Sequence, residues 1–314
     1  MLWLTFLIAF GLDLLLGDPH SKWHPVAMFG RLAERTEKQC REYFGNTVFA
    51  GGLGWFLLVG GCTAAAWGIG LLTGYIGAGV ILYGCIALRS LVEHTLAVAR
   101  PLDAGDLPAA RRALGMVVSR DTSVLDENGM IRGALESISE NLIDAVNSAI
   151  FWAMLGGVLF GAPGAAAGAV LLRTVNTLDA CWGYRDERYL KFGRIAARTD
   201  DFMHWIPARL TALAVAVASG HFRRTLGTAW KHRHHHPSPN SCWGMAAFAG
   251  ALGIRLGGPT AYRDGTEPYP YWGDGRATLT IKDLWNAARL CLISVPVFLL
   301  FLSGPAIFWW SGGG

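Results

Sequence analysis

The residues best suited to chemistry lie in a polar stretch between two apolar ones, Ser119 to Asn147, reading SRDTSVLDENGMIRGALESISENLIDAVN. Arg132, Glu136, Glu140 and Asp144 recur every fourth residue, so on a helix they form one slowly drifting charged stripe, which Asn147 and Ser148 extend. Carboxylates that share a face repel one another. Such a stripe is kept where cations neutralise it, either Arg and Lys of another segment or a bound Mg²⁺, which takes one or two carboxylates plus substrate phosphates. The stripe runs directly into Ala149 to Leu172, a segment apolar enough to enter a bilayer. Charge held that close to lipid is functional by default, because burying it unpaired is costly.

Further acids border the next apolar runs. Eleven of the chain's 23 acids fall between Asp121 and Asp201. Arg173, Asn176 and Asp179 share one helical face ahead of a stop at Gly183 and Tyr184, and Asp200 and Asp201 precede Trp205, Pro207 and Arg209. A single charged stripe is commonly a solvated face, and adjacent acids often cap helices. Several acidic clusters that border apolar segments and alternate with arginine argue for a joint role.

Two loops add candidates. In HRHHHPSPNSCWGM, the clustered His232, His234, His235 and His236 could bind a transition metal, but Pro237 and Pro239 extend the chain and no Cys or acid lies at ligand spacing. A positively charged loop for a phosphate or carboxylate suits it better, with Ser238, Asn240 and Ser241 as hydrogen-bonding groups. In GDPHSKWHPV, Asp18 and His24 either orient substrate or close the first helix. Tyr269, Tyr271 and Trp272 could stack on a planar ligand or form an interfacial aromatic cluster.

The elements that must position these residues are membrane helices. Hydrophobic residues make up 52% of the chain and charged residues 16%, against roughly 25% charged in soluble domains. A crossing takes about 20 apolar residues. Phe49 to Leu72, Gly74 to Leu88 and Cys291 to Trp310 are the clearest stretches, and Met1 to Leu16 is a further candidate, a retained first helix rather than a signal peptide. Gly161, Pro163 and Gly164 break Ala149 to Leu172 at its midpoint and predict a re-entrant hairpin over 149–172. Ile206 to Ser219 and Cys242 to Leu256 are expected to be half-buried or paired.

The fold class expected is therefore all-α: a polytopic membrane protein with about 4–6 segments. A single integral-membrane domain spans 1–314, with polar inserts at 17–48, 89–148, 173–205, 221–241 and 259–290. If the apolar pairs go out and back, Arg31 to Tyr43, Arg89 to Ser148 and Arg173 to His204 share one Lys- and Arg-rich face, which should be cytoplasmic. The net charge of +4 is spread out and offers no nucleic-acid stripe. Six cysteines without a C-x-x-C pair indicate neither a disulfide framework nor a zinc site.

Taken in order, several of these segments resemble the adenosylcobinamide-phosphate synthase family of cobalamin biosynthesis. The pieces are GDPHSKWHPV (Gly17 to Val26), SRDTSVL (Ser119 to Leu125), ESISENLIDA (Glu136 to Ala145), VNTLDACWGY (Val175 to Tyr184), FGRIAARTDDFMHWIPARLT (Phe192 to Thr211) and HPSPNSCWGMAAFAGALGIRLGG (His236 to Gly258). Two positions depart from the family pattern. Ala145 and the residues after it replace a Gly and an A-P-L-F-like turn, and Met245 stands where a Glu is common.

The resemblance implies an ATP-dependent amide ligase that joins a propionate of adenosylcobyric acid to aminopropanol or its phosphate, in a bacterial inner membrane with the site facing the cytoplasm. It implies Mg²⁺ and ATP, a corrinoid substrate, the lipid bilayer as surroundings and other membrane enzymes of late cobalamin assembly as partners. The residues expected for the metal are Glu136, Glu140, Asp144, Asp200 and Asp201. Catalytic candidates are Glu140, Asp144, Asp179 and Asp121. Arg120, Arg132, Arg173, Asn176, Arg209, His236, Ser238 and Asn240 are expected to hold phosphates or substrate carboxylate. Two rivals remain: a membrane sensor on the same scaffold, favoured by Met245 and Asn147, and a transporter, which the lack of two matching halves disfavours.

Overall fold

Glycine decides where the long apolar helices turn. The computed structural model describes residues 1–18, 25–262 and 265–311, the last part as backbone alone from 305. The Asp18 to His24 loop singled out above lies outside the described residues from 19 onward. Helix α3 (Val48–Tyr83) breaks at Gly74, with φ 62° and ψ −150°, and α7 (Ser148–Trp182) breaks in the same way at Gly161, with φ 68° and ψ −149°. Positive φ at these angles is open to glycine and costly for other residues.

The break in α7 folds the chain back on itself. A Cβ built on Gly156 would lie 2.1 Å from the Gly164 carbonyl oxygen, and one on Gly168 would lie 2.1 Å from that of Trp152. Residues that far apart in one straight helix would not meet. The arms before and after Gly161 therefore run antiparallel, with backbones in contact through small residues. This is the hairpin that the Gly-Ala-Pro-Gly midpoint predicts. Its first arm, Ser148 to Phe160, spans about 20 Å, less than the roughly 30 Å of a hydrocarbon core.

Helical stretches Val48–Asp103, Glu127–Trp182 and Ile281–Gly304 are long and apolar enough to cross a membrane, and Leu2–Leu16 and Ser241–Leu252 are shorter apolar helices. The protein is an all-α membrane protein. The chain divides into two compact units, each built from separated segments: Met1–Ala87 with Ser148–His204, and Leu88–Asn147 with Trp205–Gly314.

In the first unit, α1 (Leu2–Leu16) and α2 (Pro25–Phe44) pack with α3 and α7. Thr5 donates to the Tyr75 carbonyl at 3.2 Å, just past the Gly74 break, and the Tyr83 hydroxyl donates to the Gly17 carbonyl at 2.7 Å. These bonds tie the ends of α1 to the short returning arm of α3.

In the second unit, the polar insert expected at 89–148 is itself helical: α4 (Leu88–Asp103), α5 (Leu107–Gly115) and α6 (Glu127–Leu142). Asp126 caps α6 by accepting from the Gly129 amide at 2.7 Å. The helix passes into a π-turn, Ile143–Asn147, before α7. Helix α8 (Arg194–Ala218), which belongs to this unit from Trp205 onward, is followed by α9 (Phe222–His232) and α10 (Ser241–Leu252), which is buried at every position from Ser241 to Ala251 between its neighbours α6 and α9. An all-round apolar helix requires that enclosure. Four short strands follow. β1 (Leu256–Gly257) pairs with β4 (Tyr271–Trp272), and β2 (Thr260–Tyr262) pairs with β3 (Gly265–Glu267). Helix α11 (Ile281–Ser311) then packs on α4 and α6. All six cysteines are free thiols.

Candidate functional site

One face of α6 carries three of the four charged residues of the stripe, and each does something different. Arg132 clamps the β1 turn, donating from Nη1 to the Gly257 carbonyl at 2.7 Å and from Nη2 to that of Pro259 at 3.1 Å. Glu136 is 4% exposed. Its Oε1 accepts the Gly257 amide at 2.7 Å and its Oε2 accepts Arg120 Nη2 at 2.6 Å. Glu140 lies one turn further on, in the wall of a cleft.

That cleft of about 150 Å³ gathers groups from four segments: Ser119 and Arg120 before α6, Glu136, Ser137, Glu140 and Asn141 on it, His236 and Met245 around the start of α10, and Tyr262, Tyr269 and Trp272 from the strands and the β3–β4 connection. His236 stacks on Tyr269 at 5.6 Å between ring centres and meets Trp272 edge-on at 6.3 Å. Its Nδ1 accepts the Ser238 amide at 3.2 Å, so the neutral ring carries its proton on Nε2. Burial, with Tyr269 beside it, pushes the Tyr262 phenol up to about 12, so it stays protonated. The cleft thus holds a guanidinium, a carboxylate, an imidazole and aromatic faces.

The π-turn ends the stripe. By inserting an extra residue per turn it breaks the four-residue repeat at Asp144. The expectation that Asn147 and Ser148 extend the charged face is corrected here: both are fully buried, and Asn147 donates to the Thr211 hydroxyl at 3.0 Å.

A second acidic group forms within the first unit. Asp179, on the last turn of α7, lies within electrostatic reach of Asp200, Asp201 and His204 on α8. Asn176 Nδ2 donates to Asp200 Oδ1 at 3.3 Å, and His204 Nδ1 lies 3.2 Å from the same oxygen. Burial first, then the neighbouring Asp200, raises the Asp201 carboxyl above its usual range. Four of the residues singled out from the sequence, Asn176, Asp179, Asp200 and Asp201, are therefore brought together.

The remaining candidates have local roles. Asp121 Oδ1 accepts from the Ser123 amide at 2.9 Å and its hydroxyl at 2.6 Å, which fixes a turn. Arg173 donates from Nε to the Cys85 carbonyl at 3.0 Å. Arg209 lies over Trp205 at 4.1 Å and Trp243 at 4.9 Å, and reaches the Asn240 side chain at 3.3 Å. Ser238 Oγ accepts the Asn240 amide at 3.3 Å at the entry to α10. His232 and His235 face each other, Nδ1 to Nδ1 at 3.1 Å.

Among the described residues, no three His, Cys, Asp or Glu side chains assemble as a metal-ligand set. The expected donors Glu136, Glu140 and Asp144 belong to the second unit and Asp200 and Asp201 to the first. Both Glu136 oxygens are already engaged. The donor chemistry, hard carboxylate oxygens, fits Mg²⁺ in the mode where one or two carboxylates bind it and phosphate oxygens complete the sphere. Sequence reasoning missed Ser137, Asn141 and Tyr262 in the cleft. The Ser137 and Asn141 spacing, with Glu140 between, was the available signal.

The fold and cleft define a class: a helical membrane protein with a polar, aromatic-walled cleft beside α6 and the start of α10. The family profile described as CobD/Cbib protein matches residues 6–291. Similar curated proteins named Cobalamin biosynthesis protein CobD come from Stutzerimonas stutzeri (43% identical, 93% of each chain), Chromobacterium violaceum (41%, 90% of each) and Klebsiella pneumoniae (34%, 96% of each). The chain belongs to the CobD/CbiB family. No solved structure matches it significantly.

Proposed function

We propose that this protein acts in cobalamin biosynthesis as an ATP- and Mg²⁺-dependent amide ligase, joining a propionate carboxylate of adenosylcobyric acid to aminopropanol or its phosphate. The observation that carries the reading is the cleft that unites Arg120, Glu136, Glu140 and His236, drawn from three separated segments of the stretch that the family profile matches. Forming an amide from a carboxylate is uphill in water, so the carboxylate oxygen first attacks the γ-phosphorus of ATP and ADP leaves. The amine nitrogen then attacks the acyl carbon, and phosphate leaves as the amide forms.

Glu140 is positioned to keep the amine neutral by taking its proton. Arg120, oriented by Glu136, holds an anionic group, and His236 Nε2–H donates to a developing oxyanion. The His236, Tyr269 and Trp272 faces take up planar or apolar parts of the substrate. Asp200 and Asp201, with Asp179 beside them, are the carboxylates proposed for the Mg²⁺: one or two of them would hold it with phosphate oxygens completing the sphere, and it would neutralise the transferring phosphoryl group. Asn176, Arg173, Arg209, Ser238 and Asn240 steady those segments. The setting is the bacterial cytoplasmic membrane with the cleft open to the cytoplasm.

The test supplies full-length protein in nanodiscs with adenosylcobyric acid, ATP, Mg²⁺ and a panel of amino alcohols. ADP should accumulate over repeated turnovers only when a suitable amine is present. A second reading, a non-catalytic corrinoid sensor, draws on Met245, a thioether in the cleft wall where a Glu is common in the family. Glu140→Gln separates the two: the ligase loses turnover by about 10² to 10⁴, while a sensor retains its corrinoid binding and never releases ADP.

A further inference from the structure

The first unit carries a separate cleft of about 530 Å³ between α2 and the 185–193 loop, and its charge is unbalanced. Arg31, Arg35, Lys38, Arg41 and Arg188 line it against only Glu34 and Glu37. We propose that this cleft binds a phosphate-bearing anion.

Glu37 is the feature that makes this a built site rather than a run of surface charge. It is 4% exposed. Its Oε1 accepts Arg41 Nε at 2.8 Å and Arg188 Nη2 at 3.0 Å, and its Oε2 accepts the Tyr189 hydroxyl at 3.1 Å. One carboxylate thus orients two guanidiniums but cancels only one charge. Arg41 is used up structurally: it lies over the Phe192 ring at 4.2 Å and donates to the Asn46 side chain at 2.8 Å and the Arg188 carbonyl at 2.9 Å. Arg188, its side chain 65% exposed, is held at the mouth by two bonds to Glu37 Oε1, from Nε at 3.2 Å and Nη2 at 3.0 Å. Asp186 adjoins Arg188 and Glu34 faces the same space, yet the cationic excess remains.

Arg35 and Lys38 sit one helical turn apart along the exposed side of α2. Like charges placed that closely repel unless an anion screens them, and fixed guanidinium forks match phosphate oxygens. Helix α2 leads through the Thr47 cap into apolar α3, which puts the cleft beside a membrane-entering helix. The phosphate could therefore belong to a soluble ester or to a lipid headgroup.

The full-length protein in phosphatidylcholine nanodiscs is titrated with inorganic pyrophosphate by calorimetry at low salt. In parallel, native mass spectrometry counts lipids retained from nanodiscs of equal parts phosphatidylcholine and phosphatidylglycerol. Arg35→Glu with Lys38→Glu, both exposed, should weaken pyrophosphate binding about tenfold if the source is soluble, or abolish preferential phosphatidylglycerol retention if it is lipid. Arg35→Ala with Lys38→Ala should lie in between, with unchanged melting. Absence of both pyrophosphate binding and phosphatidylglycerol preference in the unaltered protein, or equal values in the charge-reversed variant, overturns the proposal.

Discussion

Glu136 and Arg120 are a buried pair, with side chains 5% and 11% exposed. Losing one partner strands the other charge, which costs about 3–5 kcal/mol, while losing both costs less. Glu136→Ala and Arg120→Ala should each lower the melting temperature in detergent more than half as much as the double variant, and a purely additive cycle would contradict the pairing. Asp201 predicts a pH effect of the opposite kind. Its folded carboxyl is raised from the ordinary 3.8 by burial and by Asp200, so ionisation weakens the fold. The penalty is absent below the unfolded value and complete above the folded one. Asp201→Asn should therefore match the unaltered protein at the acid end and gain melting temperature steadily as pH rises towards neutral. A constant difference at every pH counts against it. At this scale the sequence was informative wherever polar residues met apolar runs, as at Arg120, Glu140 and Asp200. Glu37 was not legible, because a charged residue on an amphipathic helix looks solvated until its buried partners are known. Nor could spacing reveal that the forks of Arg132 and Arg173 are taken by main-chain oxygens, since those come from residues distant in sequence.

Among the elements, the glycine-broken hairpin gives the sharpest expectation. Gly161→Ala forces a side chain into left-handed backbone and should cost about 1–2 kcal/mol. Gly156→Val drives a side chain into the Gly164 carbonyl and should cost about 3 kcal/mol or more. Thermal unfolding of both variants in one detergent should rank them in that order, and a Gly156→Val protein as stable as its parent would mean the arms do not touch. The hairpin was legible because Gly, Pro and Gly interrupt an otherwise apolar run. The π-turn was not: Ile-Asp-Ala-Val-Asn has ordinary helical composition, and its wider winding depends on what surrounds Asn147 and Thr211. The four strands were equally hidden, since two or three residues are too few to establish an alternating pattern.

For the whole molecule, two compact units can be told apart along the chain. The chain passes from one to the other just before α4, at the junction of the π-turn with α7 and within α8, and the last two places carry helical sequence with no mark of a boundary. Neither unit is a contiguous stretch. A fragment of residues 1–147 lacks the α7 partner of its own α3, so it should be trypsin-sensitive in membranes, and co-expression with 148–314 should restore protection. Protection of the fragment alone would refute the division. The same interleaving has a consequence for how the protein is made. When residue 87 has left the ribosome, its unit must stay incomplete while about sixty residues of the other are synthesised, roughly 3–12 s at ordinary elongation rates. Through that interval the nascent α3 segment rests in the bilayer without its hairpin, a natural client for whatever insertion machinery shelters half-assembled helices.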